Sequence, residues 1–166
     1  MFAGLRAPVS DAGEAYIVSV PLSELFGNAG PGEPDCGAAP VVPGGVRLHS
    51  VDLSRDRDGN PRGIRDLARC GGGFLILAGP ERNPSDDRIR RGDYAIYISD
   101  LETTRKLIDL DAYGKKAKPE GLLPLGVRND RLDALVLFDG PKEGRPTPIS
   151  IDLATFGALA PSVGCP

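Results

Sequence analysis

The chain has 166 residues, with 20 Lys and Arg against 23 Asp and Glu, a net charge of −3. Hydrophobic residues make up 40% and charged residues 26%, the balance of one globular domain with a real core. No apolar run approaches the roughly 20 residues of a membrane helix, and weak acidity argues against a clustered cationic nucleic-acid surface, so neither partner is expected.

Short apolar runs follow one another along the chain: Ala15–Val20, Val46–Leu53, Ile64–Ala68, Phe74–Ala78, Tyr94–Ile98, Lys106–Leu110, Gly121–Leu125, Ala134–Phe138 and Ile149–Leu153. Each has the length of a strand and is bounded by turn residues. Phe74–Ala78 and Ala134–Phe138 are continuously apolar, which predicts strands covered on both faces. Leu22–Phe26 could make one helical turn at most. Gly and Pro make up 10 of the 19 residues at 27–45, which predicts a flexible insertion. The fold class is all-β.

The runs recur in kind. Ala3–Pro8, Ile76–Pro80 and Leu137–Pro141 end alike, and so do Val18–Leu22, Tyr97–Leu101 and Ile149–Leu153. Arg47–Leu53 resembles Arg105–Leu110, and Gly63–Ala68 resembles Lys118–Leu123. Arg65 to Glu120 spans 55 residues, Asp52 to Asp109 spans 57, Pro80 to Pro141 spans 61 and Pro8 to Pro80 spans 72. Four antiparallel strands per period predict a partial β-propeller of about two and a half to three blades. Residues 1–53 form a partial blade carrying the insertion, 54–117 a full blade, 118–153 a partial blade and 154–166 a tail. The competing architecture is an ordinary β-sandwich. An open arc exposes faces and edges, so further blades or self-association are expected to close the ring.

Gly4–Pro8, Gly63–Ala68, Leu77–Pro80 and Lys118–Gly121 resemble signature segments of domain of unknown function 3616, a bacterial family of propeller-like proteins. The similarity runs from about Phe2 to about Asp139, and Ala7 stands where the family tends to have Gly. Family members are usually longer at the N-terminus. The resemblance implies architecture and no particular activity.

In a blade the start of the innermost strand lies beside the end of the second. Arg62, Arg65, Lys118 and Glu120 are therefore expected to cluster with Arg6, Glu81, Arg82 and Asp139 at the channel mouth. Arg6, Arg65, Arg82 and Lys118 would favour an anionic small ligand such as a phosphate or carboxylate. Glu120 could act as a general base in a phytase-like hydrolase, or share a divalent cation with Asp139. The competing reading is a set of inter-blade salt bridges, Arg65 with Glu120 first, in a non-catalytic interaction module.

Weaker features complete the inventory. Asp56–Asn60 places oxygen side chains as calcium loops do, yet Pro61 and Leu67 stand where an EF-hand needs Gly and Glu, so a tight turn is expected. Asp52, Asp100, Asp109 and Asp152 precede Leu at strand ends and should fix turns. His49, the one histidine, is expected to pack. The segment Arg82–Asp93 reads as a solvated loop. Cys36, Cys70 and Cys165 allow one disulfide or none. No basic-then-apolar leader stands at residues 1–20, and the first strand begins partway through a blade, so the compartment stays open. No resident cofactor is indicated.

Overall fold

The computed structural model describes residues 1–22, 45–82, 89–111, 113, 117–140 and 145–154. Most of the insertion expected at 27–45, the helical turn beyond Leu22, the middle of the Arg82–Asp93 loop, Pro141, Cys36, Cys165 and the tail after Ala154 lie outside these residues.

The described residues form ten strands in chain order. They are β1 (Phe2–Gly4), β2 (Ala15–Ser19), β3 (Arg47–Val51), β4 (Arg62–Cys70), β5 (Gly73–Pro80), β6 (Ala95–Ser99), β7 (Thr104–Asp109), β8 (Lys118–Arg128), β9 (Arg131–Asp139) and β10 (Thr147–Asp152). They form three antiparallel sheets, ordered β1-β2-β3, β4-β5-β6-β7 and β10-β9-β8. Each sheet is a meander, in which consecutive strands pair.

Two apolar cores hold the sheets together. Ala15, Ile17, Val51 and Leu53 of the first sheet region pack on Ile64, Phe74, Ile76, Ala78, Ala95 and Tyr97 of the second. Leu75, Leu77, Ile96 and Ile98 pack on Leu122, Leu132, Ala134, Val136, Phe138 and Ile151 of the third. Alternate residues of β5 thus serve different cores, as period-two geometry requires. The middle sheet is covered on both faces, as its continuous apolar run predicts.

The third sheet departs from that prediction. Ala134, Val136 and Phe138 are buried, while Leu137 is 39% exposed and Leu135 only half-buried. Among the described residues one face of this sheet has no neighbour, and an unbroken apolar run does not reveal which faces are covered. Leu123 and Leu125 are exposed with Leu137.

Close backbone approach links the first two sheets. The Ile64 amide donates to the Leu5 carbonyl at 3.1 Å. A Cβ on Gly63 would stand 1.9 Å from the Arg6 carbonyl oxygen, so only glycine allows this approach. Phe2 packs its ring on Phe74 across the same junction, with centroids 4.8 Å apart.

β8 is longer than the apolar run Gly121–Leu125 predicts, and it contains Pro119 and Pro124. Both are tolerated on this edge strand, and the register slips beside each, between Pro119 and Gly121 and between Pro124 and Gly126. Cys70, at the end of β4, is 1% exposed and disulfide-bonded; its partner lies outside the described residues.

Candidate functional site

β4 and β8 carry the site, and each is interrupted by a bulge near its start. In β4, Ile64 faces Ala78 and Asp66 faces Leu77, leaving Arg65 as the extra residue. In β8, Pro119 faces Phe138 and Gly121 faces Leu137, leaving Glu120 as the extra residue. A bulge re-aims the side chain of its extra residue. Here the two side chains are aimed at each other, and Arg65 Nη1 donates to Glu120 Oε1 at 2.8 Å.

The pair is asymmetric in burial. The Arg65 side chain is fully buried, while Glu120 keeps about a third of its side chain exposed. Arg65 Nη2 donates to the Pro80 carbonyl, and its guanidinium carbon lies 5.7 Å from the Tyr94 ring centroid. Two buried polar atoms here, Arg65 Nε and Tyr94 Oη, have no hydrogen-bond partner among the described residues. Burial holds the Arg65 pKa below its ordinary value, Tyr94 and Glu120 oppose that shift, and Arg6 adds to it by repulsion. Burial likewise pushes the Tyr94 phenol up to about 12.

Asp66 adds a second tie to the same junction. Its Oδ2 accepts from the Leu122 amide of β8 at 2.6 Å, and its Oδ1 accepts from the Leu67 amide. Sequence reasoning missed Asp66, because the bulge that turns it toward β8 leaves no mark in the sequence.

The other candidates gather only in part. Arg6 is exposed and its Nε donates to the Glu81 carbonyl at 3.2 Å. Lys118 is half-buried and faces the exposed Asp139 in the β8–β9 register. Arg82 is exposed beside Glu81. Arg62 does not join them. It precedes the bulge, so strand alternation turns it toward the first sheet, and it is 3% exposed. Its guanidinium donates to the carbonyls of Leu53 (3.1 Å), Gly92 (2.6 Å) and Asp93 (3.4 Å) and to Tyr97 Oη (3.1 Å).

No group of three or more His, Cys, Asp or Glu side chains among the described residues could hold a metal ion. In the Asp56–Asn60 loop, Asp56 Oδ1 accepts from the amides of Asp58 and Asn60, the expected tight turn. Asp52, Asp100 and Asp152 each accept from an amide two residues on, while Asp109 instead meets Lys106 Nζ at 3.0 Å. His49 Nε2 lies 2.9 Å from Ser19 Oγ, within the first sheet. An open groove of about 430 Å³ beside Ser19 is lined by Met1, Phe2, Val20 and Arg47 among others, and by none of the site candidates.

Comparison with protein-family models, with curated proteins and with solved structures finds no match. Among the described residues no helix is long and apolar enough to cross a membrane.

Proposed function

We propose that the chain is a non-catalytic interaction module: three consecutive blades of a propeller-like ring whose end faces take a further antiparallel sheet. The observation that carries this reading is the engagement of Arg65. The central cation of the candidate site already has a carboxylate on one Nη and a carbonyl on the other. Its charge is matched inside the fold, as an inter-sheet clamp requires.

The propeller arrangement is supported by three meanders stacked face to face and by the apposition of β4 and β8 through equivalent bulges.

A second reading keeps an anionic small ligand at the mouth, held by Arg6, Arg82 and Lys118 beside Asp139, with Glu120 as general base on a phosphate ester. Arg6 favours it, because it is exposed and close enough to Arg65 to oppose its charge. Thermal unfolding with added inorganic phosphate, together with turnover assays on phosphomonoesters and lactones, separates the two. The module reading expects no stabilisation by phosphate and no turnover. Stabilisation that disappears in Arg6→Gln and Lys118→Gln, or turnover that disappears in Glu120→Gln, would replace it with the ligand reading.

A further inference from the structure

We infer that the sheet taken up by the end faces belongs to a second copy of this chain, docked head to tail. The β8–β10 sheet of each copy packs on the β1–β3 sheet of the other, closing six sheets into a dimer. This rests on the interaction-module reading above.

The internal junctions show what the open faces are made to meet. Just past the β4 bulge, Leu77 pairs with Asp66, and two residues on Leu75 pairs with Ala68. Just past the β8 bulge, Leu137 pairs with Gly121, and two residues on Leu135 pairs with Leu123. The two sets hold the same places in their sheets. Leu75 and Leu77 are 0% exposed, because the third sheet covers them. Leu137 and Leu123 are 39% and 50% exposed, and no sheet among the described residues packs on them. The row is sheet–sheet core by composition, so the occupant it fits is the apolar face of another sheet.

The chain carries such a face at its other end. Val18 pairs with both Ala3 and Leu48, in a row on the side of the first sheet away from Ile17 and Ala15. Leu48 is 59% exposed, Ala3 is exposed, and Leu5, Tyr16 and Val18 are half-buried, with no charge among the five. One molecule therefore presents both halves of a junction that it already makes twice internally. Different faces meeting head to tail form a closed ring when the rotation permits. Two copies docked in this way bring six sheets together, within the four to eight blades typical of closed propellers.

Sedimentation velocity on the full 166-residue chain at micromolar concentration tests this. The wild-type chain should sediment as a dimer. Leu137→Asp and Leu48→Lys should each weaken association at least roughly tenfold, since each puts an unmatched charge into both junctions. An equimolar mixture of the two variants should recover the dimer, because one junction is then wild type and the other sets Asp against Lys. Recovery also establishes that both variants are folded, and Leu123→Asp serves in place of Leu137→Asp if that chain does not fold. A wild-type monomer overturns the inference. So does a dimer that survives Leu48→Lys, in which like faces would pair while the module reading stands. Failure of the module reading appears separately, in the phosphate and turnover experiments.

Discussion

Arg65 and Glu120 are the extra residues of corresponding bulges in neighbouring sheets, and their side chains meet at 2.8 Å. Replacing Glu120 with Ala would leave a fully buried guanidinium without its carboxylate. Breaking a buried pair costs about 3–5 kcal/mol, and the partial exposure of Glu120 lowers this to about 2–3 kcal/mol. Glu120→Gln keeps an oxygen acceptor and should lose less. Urea unfolding of Glu120→Ala, Arg65→Met and the double variant should give a coupling energy above about 1 kcal/mol. Simple additivity would mean that the pair does not clamp the sheets.

Tyr94 makes the fold sensitive to alkali. The unfolded phenol ionises near its ordinary value of 10.0, while burial holds the folded one protonated to about 12. Between these values the unfolded state binds fewer protons, so stability is full below pH 10 and declines as pH rises toward 12, by on the order of 2 kcal/mol. Tyr94→Phe should remove that part of the decline. It also removes a buried hydroxyl with no partner among the described residues, so at pH 7 the variant should be as stable as the wild type or more so. Chemical unfolding at several pH values checks both statements; an unchanged alkaline slope would mean that Tyr94 is not its source.

Gly63→Ala should strike the junction between the first two sheets. The new Cβ would meet the Arg6 carbonyl, a backbone atom that cannot rotate away. The expected loss is about 3 kcal/mol or more, at the upper end of overpacking costs. Gly72→Ala is the matched control, since a Cβ there meets nothing within 4 Å. Thermal unfolding should separate the two variants widely.

Arg62→Met should cost about 3–5 kcal/mol, because it leaves the carbonyls of Leu53, Gly92 and Asp93 without their side-chain donor. Methionine fills much of the volume, so loss of hydrogen bonds dominates the effect. Near-UV circular dichroism should report the disturbance through Tyr97, whose hydroxyl is bonded both to Arg62 and to the Leu53 carbonyl.

The strands were legible because short apolar runs between turn residues leave few alternatives, and every run from Ala15–Val20 to Ile149–Leu153 overlaps a strand. The ion pair was legible as one of two uses for the charges at 65 and 120. The bulges were not, since one extra residue leaves no mark in a five-residue pattern. Without them the shared face of Arg65 and Asp66 is lost, since these sequence neighbours both reach β8; Arg62, three residues from Arg65, faces the other sheet by simple alternation. The one-residue difference between intervals has another source, because two residues separate Phe138 from Pro141 and one separates Ala78 from Pro80. Ala78 and Phe138 occupy matching places before the bulges, 60 residues apart, whereas the Gly-Pro corners stand 61 apart. Leu135 and Leu137 also look like core in sequence, because covered and open apolar faces have the same composition.

Sandwiching of β5 and β6 by apolar neighbours on both sides sets the order in which the molecule can come apart. Their amides cannot reach solvent until one flanking sheet has peeled away, so they should be the last to exchange with deuterium. Either outer sheet can detach while the centre keeps one neighbour, which makes the ends the site of early opening and the centre the gauge of global unfolding.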